Sequence, residues 1–97
     1  MKNKVNIKVV PSGATFKVLS ISGNSGDALT KHQVNQAALL LVKSGNLTYQ
    51  ADNLEVLLSE GQCHPIPANV LHAVTCRAEN TQFFVVLTNQ AKMRFES

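Results

Sequence analysis

The sequence predicts an all-β sandwich or barrel, and three observations carry that prediction. Apolar residues recur at every second position over short runs, as they do on strands with one buried face. Clusters of Gly, Pro, Asn and Ser interrupt the chain at the short intervals of strand-turn architectures. No long run carries its apolar residues with a helical period.

In chain order, residues 1–10 read as a first strand, in which Val5, Ile7 and Val9 alternate with Asn6, Lys8 and Val10. Pro11-Ser12-Gly13 is a turn. Residues 15–21 form a second strand with Phe16, Val18 and Ser20 on one face. The polar loop 22–27 leads to a third strand, 28–34, which Asn35-Gln36 turns. Residues 37–42 are apolar at every position, the pattern of a strand buried on both faces. A buried helix is the rival, but the run is short and Ser44-Gly45-Asn46 closes it. Strands at 47–51 and 54–58 flank the hairpin turn Asp52-Asn53. After Ser59-Glu60-Gly61 come strands at 62–66 and 70–77, parted by Pro67-Ala68-Asn69. Residues 81–88, with Phe83-Phe84-Val85-Val86-Leu87, make a second two-sided strand, and Met93 and Phe95 a last short one.

Ninety-seven residues leave room for one core, so residues 1–97 are expected to form a single domain. Hydrophobic residues make up 44% and charged residues 15%, more apolar surface than so small a chain hides easily. Some of that surface is therefore expected to meet a partner. The net charge of +3 is mild, with Lys2, Lys4, Lys8 and Lys17 towards the N-terminus and no basic cluster interleaved with aromatics, so nucleic acid is not an expected partner. The first residues do not read as a leader peptide, and no apolar run reaches the roughly 20 residues that span a bilayer. A membrane is not expected either. Cys63 and Cys76 lack a CxxC spacing and read as free thiols, which with the missing leader points to a cytoplasmic protein.

Two glycine-opened segments, 26–45 and 61–76, each place one histidine at a fixed distance. In the first, Gly26 is followed by His32, Val34, Ala38 and Gly45; in the second, Gly61 is followed by Pro67, Asn69, His72 and Cys76. Both spacings resemble the paired motifs of the cupins, and the two segments cover about half of the chain. The resemblance implies a small single-domain cupin: an antiparallel β-barrel of the RmlC-like jelly-roll kind, a double-stranded β-helix. It also implies a metal site of three histidines and a glutamate facing into the barrel. Here the second histidine position is Val34 and the glutamate position is Ala38, and neither has a lone pair to offer. A divalent metal wants three or four protein ligands. The motif is therefore degenerate, and no cofactor is expected; the alternative is a divalent metal held by His32 and His72 alone.

In the cupin register His32 and His72 point into one cavity. By alternation Val34, Ala38 and Leu40 line it from the first segment, and Val70, Val74 and Cys76 from the second. An apolar lining with two imidazoles suits a small, mostly apolar ligand with one polar group. His72 and Cys76 lie roughly 13 Å apart along a strand, too far to share a metal. No Ser-His-Asp or Cys-His set assembles, and no carboxylate is a clear inward candidate, so catalytic residues cannot be named and a binding domain is favoured over an enzyme. Metal-dependent dioxygenase or isomerase chemistry, as elsewhere among cupins, is the alternative, and a non-catalytic structural homodimer is a third reading. The outward set Ala37, Leu39 and Leu41, with Phe83 or Phe84, forms an apolar patch that either the N-terminal strand covers or a second copy does. A homodimer is the expected assembly.

Overall fold

The structure is a computed structural model and describes residues 4–96. The expected first strand starts at Met1; residues 1–3 lie outside the described residues, and the strand that forms is β1 (Asn6–Val10). It is followed by β2 (Phe16–Gly23), β3 (Ala28–Val34), β4 (Ala38–Ser44), β5 (Asn46–Ala51) and β6 (Leu54–Ser59). Then come β7 (Cys63–Ile66), β8 (His72–Cys76), β9 (Thr81–Thr88) and β10 (Met93–Phe95). The described residues contain no helix, and hence none long and apolar enough to cross a membrane.

Two five-stranded sheets face each other, β1-β2-β9-β4-β7 and β10-β3-β8-β5-β6, with every strand antiparallel to its neighbours. Strand alternation assigns the core. On the first sheet Leu19, Ile21, Leu40, Val42, Phe83, Val85 and Leu87 point inward and are buried. The second sheet answers with Leu29, Val34, Leu47, Leu58 and Val74. In β9 the inward phase is Thr81, Phe83, Val85 and Leu87, so Phe83 belongs to the core and Phe84 to the outer face.

Gly45 turns β4 into β5 with a φ of +76°, and a Cβ there would stand 2.8 Å from the Cα of Thr81, so glycine is required both by conformation and by space. Asn69, at a glycine position of the cupin pattern, takes a φ of +62° and donates its backbone N–H to the Val34 carbonyl at 2.7 Å. Asparagine is among the few residues that tolerate this region, so the turn survives the substitution.

The N-terminal strand does not cover the outer apolar face. β1 pairs with β2 and extends the sheet edge instead. Cross-strand register then aligns Val10, Val18, Val86, Leu39 and Pro65 in one row across all five strands on the outer face. Leu39, in that row, is 41% exposed.

Candidate functional site

The site begins with an irregularity in β3. Leu29 pairs with Val74 and His32 with His72, so three steps on β3 match two on β8 and one residue is extra. Thr30 and Lys31 take up the bulge and both face solvent. Plain alternation would send Leu29 and His32 to opposite faces. The bulge puts both inside, as such insertions re-aim side chains elsewhere. It also frees the Thr30 carbonyl, to which His32 Nδ1 donates at 2.7 Å. His72 makes the same contact two residues back, Nδ1 to the Val70 carbonyl at 2.9 Å.

A carbonyl can only accept, so in both rings the proton sits on Nδ1 and the lone pair on Nε2. The two imidazoles meet edge to face with centroids 4.1 Å apart, and the residues are only 2% and 1% exposed. Burial is the main cause that lowers the His32 pKa to about 4, against the raising effect of its backbone hydrogen bond, with His72 adding a smaller lowering effect. Burial likewise lowers His72, against its bond to Val70. Both rings are therefore neutral at pH 7.

The pair is the middle of a train of rings. Phe95 lies 5.1 Å from His32, Tyr49 lies 5.4 Å from His72, and His64 lies 4.5 Å from Tyr49. Tyr49 is buried, and its hydroxyl has no hydrogen-bond partner among the described residues. Burial raises its pKa, so the phenol keeps its proton.

The eight positions singled out from sequence are placed as follows. His32 and His72 are brought together. Val34, Leu40, Val74 and Cys76 lie in the packed core around them, and Ala38 and Val70 are half-buried. A concavity of about 510 Å³ opens beside the core, walled by the β5–β6 hairpin on one side and by β7 with its following loop on the other. Tyr49, His64, Pro65, Pro67 and Val70 line it together with the hairpin residues; of the eight positions only Val70 takes part. Burial and the nearby charge of Asp27 push the Cys76 thiol up to about 11, so it is neither a ready nucleophile nor a ready metal ligand. Cys63 is exposed, and both thiols are free.

Sequence reasoning passed over Tyr49. The available signal was its place as the only tyrosine, on the inward phase of β5 between Leu47 and Ala51. His64 faces inward as well, in register with the buried Leu40.

A scan against protein-family models and a search of curated proteins both return no match. Solved structures do match. A conserved protein with a double-stranded β-helix domain from Klebsiella pneumoniae superposes with a TM-score of 0.83 at 19% identity, over 100% of this chain and 89% of that one. A cupin superfamily protein from Desulfitobacterium hafniense gives 0.79 at 15% identity, over 91% of this chain and 80% of that one. An RmlC-like cupin family protein from Methanocaldococcus jannaschii gives 0.77 at 19%, over 89% and 81%. The chain has the cupin fold. At these identities the likeness concerns architecture and leaves the chemistry to the residues present.

The motif resemblance implies a metal at the positions of His32, Val34, Ala38 and His72. Two imidazole lone pairs are offered there, and Val34 and Ala38 add none. Among the described residues no three His, Cys, Asp or Glu side chains gather in a group that could hold a metal. This donor set does not fit a divalent ion that needs three or four protein ligands.

Proposed function

We propose that this is a small-molecule-binding cupin-fold protein that holds its ligand at the barrel mouth, beside the His32–His72 pair and without a full metal site. One observation carries the reading. The concavity lined by Tyr49, His64 and Val70 combines a volume in the range of small-ligand sites with a mostly apolar wall and few polar groups. It adjoins the ring train that runs from His64 through Tyr49 to the buried histidines. In this reading the protein is a non-enzymatic binder in the cytoplasm, and neither nucleic acid nor membrane is its partner.

The test is native mass spectrometry of protein purified without chelator, joined to elemental analysis. An organic mass that leaves on denaturation, and that raises the melting temperature when added back, is the expected result. Metal should stand well below one equivalent. Stoichiometric metal that disappears in His72→Ala would overturn the metal-free reading in favour of a metal-dependent enzyme with a reduced ligand set. Restoring Val34→His and Ala38→Glu together should create a divalent site that titration calorimetry detects.

A second reading, a homodimer whose role is structural, draws support from the apolar row Val10, Val18, Val86, Leu39 and Pro65 on the first sheet. The two readings are compatible, since the row lies on the outer face and the concavity opens between the sheets.

A further inference from the structure

Tyr49 is the one buried side chain among the described residues with a polar atom left unpaired. An unpaired buried hydroxyl is costly, and such groups are rare in native proteins. A phenol kept neutral by its surroundings has a proton to donate and needs an acceptor. Among the described residues, no lysine or arginine lines the concavity beside Tyr49, while Asp52 stands on its wall. An anionic ligand would find no counter-charge there and a like charge nearby. Ala51, Leu54, Pro65, Pro67 and Val70 supply apolar surface, and the proline rings and the His64 imidazole supply flat faces.

We propose that the concavity binds a small, flat, uncharged ring compound bearing a carbonyl, whose oxygen accepts a hydrogen bond from Tyr49 Oη. The inference rests on the proposed reading of the barrel mouth and specifies the chemical class that mouth selects. The hydroxyl is closed off from solvent, and the half-buried His64 ring lies against Tyr49. In this proposal the His64 ring turns aside to let a ligand reach the hydroxyl. The ligand's ring then occupies the apolar wall, and its carbonyl satisfies the phenol. Binding removes the penalty of the unpaired group, and that relief distinguishes a carbonyl compound from a hydrocarbon of the same shape.

The experiment uses three probes of similar size: acetophenone, isopropylbenzene and benzoate. Amide shifts in proton–nitrogen correlation spectra of the full chain report binding and its place. The expected result is that acetophenone moves amides in residues 49–54 and 64–70, and binds about tenfold more tightly than isopropylbenzene, with benzoate weaker than the ketone. Tyr49→Phe should cost acetophenone about that tenfold and leave isopropylbenzene unchanged. Because the substitution removes only an unpaired hydroxyl, the ligand-free variant should melt no lower than the parent. Four outcomes overturn the proposal. If the ketone and the hydrocarbon bind equally, or Tyr49→Phe keeps the preference, the mouth remains a ligand site and the role of Tyr49 falls. If Tyr49→Phe melts clearly lower without ligand, the hydroxyl already has a structural partner and the proposal falls with it. If no probe moves any amide in the concavity, the reading of the mouth as a small-molecule site falls as well.

Discussion

The two sheets differ on both of their faces. The first is apolar within and carries one apolar row on an otherwise mixed outer face, where Lys8, Ser20 and Gln82 also lie. Its inner face, β2, β9 and β4, is aliphatic and aromatic between Thr81 at one end and the half-buried Lys17 at the other, and a further polar side chain reaches the interior at its β7 edge, in His64. Its outer face carries the five-strand row from Val10 to Pro65, with Phe84 and Leu41 paired beside it. The second sheet is mixed on both sides. Inside it presents His32, His72 and Tyr49. Outside, register places Thr75 beside Thr48, Ala73 beside Gln50 and Gln50 beside Glu55, with Leu57 as an exposed exception. The difference separates two tasks. The first sheet supplies most of the apolar core and an exposed apolar row, and the second supplies the imidazole pair and Tyr49.

The largest effect should come from the inner face of the first sheet. Phe83→Ala removes a fully buried ring that no polar contact holds in place. Such truncations cost about 3–5 kcal/mol, a large part of the stability of a small domain. Chemical denaturation should show it, with an unchanged slope against denaturant. The outward neighbour Phe84, half-buried, should cost clearly less when truncated. Equal losses at the two positions would break the assigned phase of β9.

The outer faces should separate next. Leu39→Lys places a charge in the middle of the apolar row and should weaken self-association at least thirtyfold, about 2 kcal/mol, while the monomeric barrel keeps its fold. Leu57→Lys, on the outer face of the second sheet and 63% exposed, should leave the assembly unchanged. Light scattering at micromolar concentration decides the matter. A monomer mass for the unmodified protein would refute assembly through this face, and equal weakening by both substitutions would remove the distinction between the sheets.

Much of this contrast was legible in the sequence, and the parts that were not have identifiable causes. Two runs apolar at every position marked the central strands of the first sheet, and β4 and β9 are those strands. The same uniformity hid their phase. Alternation within Phe83-Phe84-Val85-Val86 carries no polar marker, so Phe83 and Phe84 were interchangeable until pairing with β2 and β4 set them. The glycine-and-histidine spacing pointed to the architecture because turns that need a positive φ, at Gly45 and Asn69, are local requirements. The bulge at Thr30 and Lys31 was not legible. It is an event between β3 and β8, and simple alternation would have sent Leu29 outward. The contact of Tyr49 with His64 was equally hidden. The two residues sit on different sheets, and closure of the barrel, which no local spacing records, brings them together.

The smallest predicted effect, a response to pH, belongs to the second sheet alone. His32 and His72 are neutral in the folded protein, with the folded pKa of His32 near 4 and that of His72 lowered in the same direction, against about 6.5 for each in the unfolded chain. Between those values the unfolded chain binds more protons than the native state. Stability is therefore full above about pH 6.5 and is lost as pH falls through that value towards 4. Between pH 7 and pH 5 the loss assigned to His32 is about 1–2 kcal/mol, a fall in melting temperature of roughly 5–10 °C for a domain of this size. The slope with pH, not the absolute melting temperature, is the diagnostic. His32→Gln removes one titrating group and should flatten the curve between pH 7 and 5 even if it lowers the whole of it. Phe83→Ala should lower the curve and keep its slope, because the first sheet places no buried imidazole in the pair. If His32→Gln melts with the parent's slope, the acid sensitivity lies elsewhere, and the separation of cohesion on one sheet from titrating chemistry on the other does not hold.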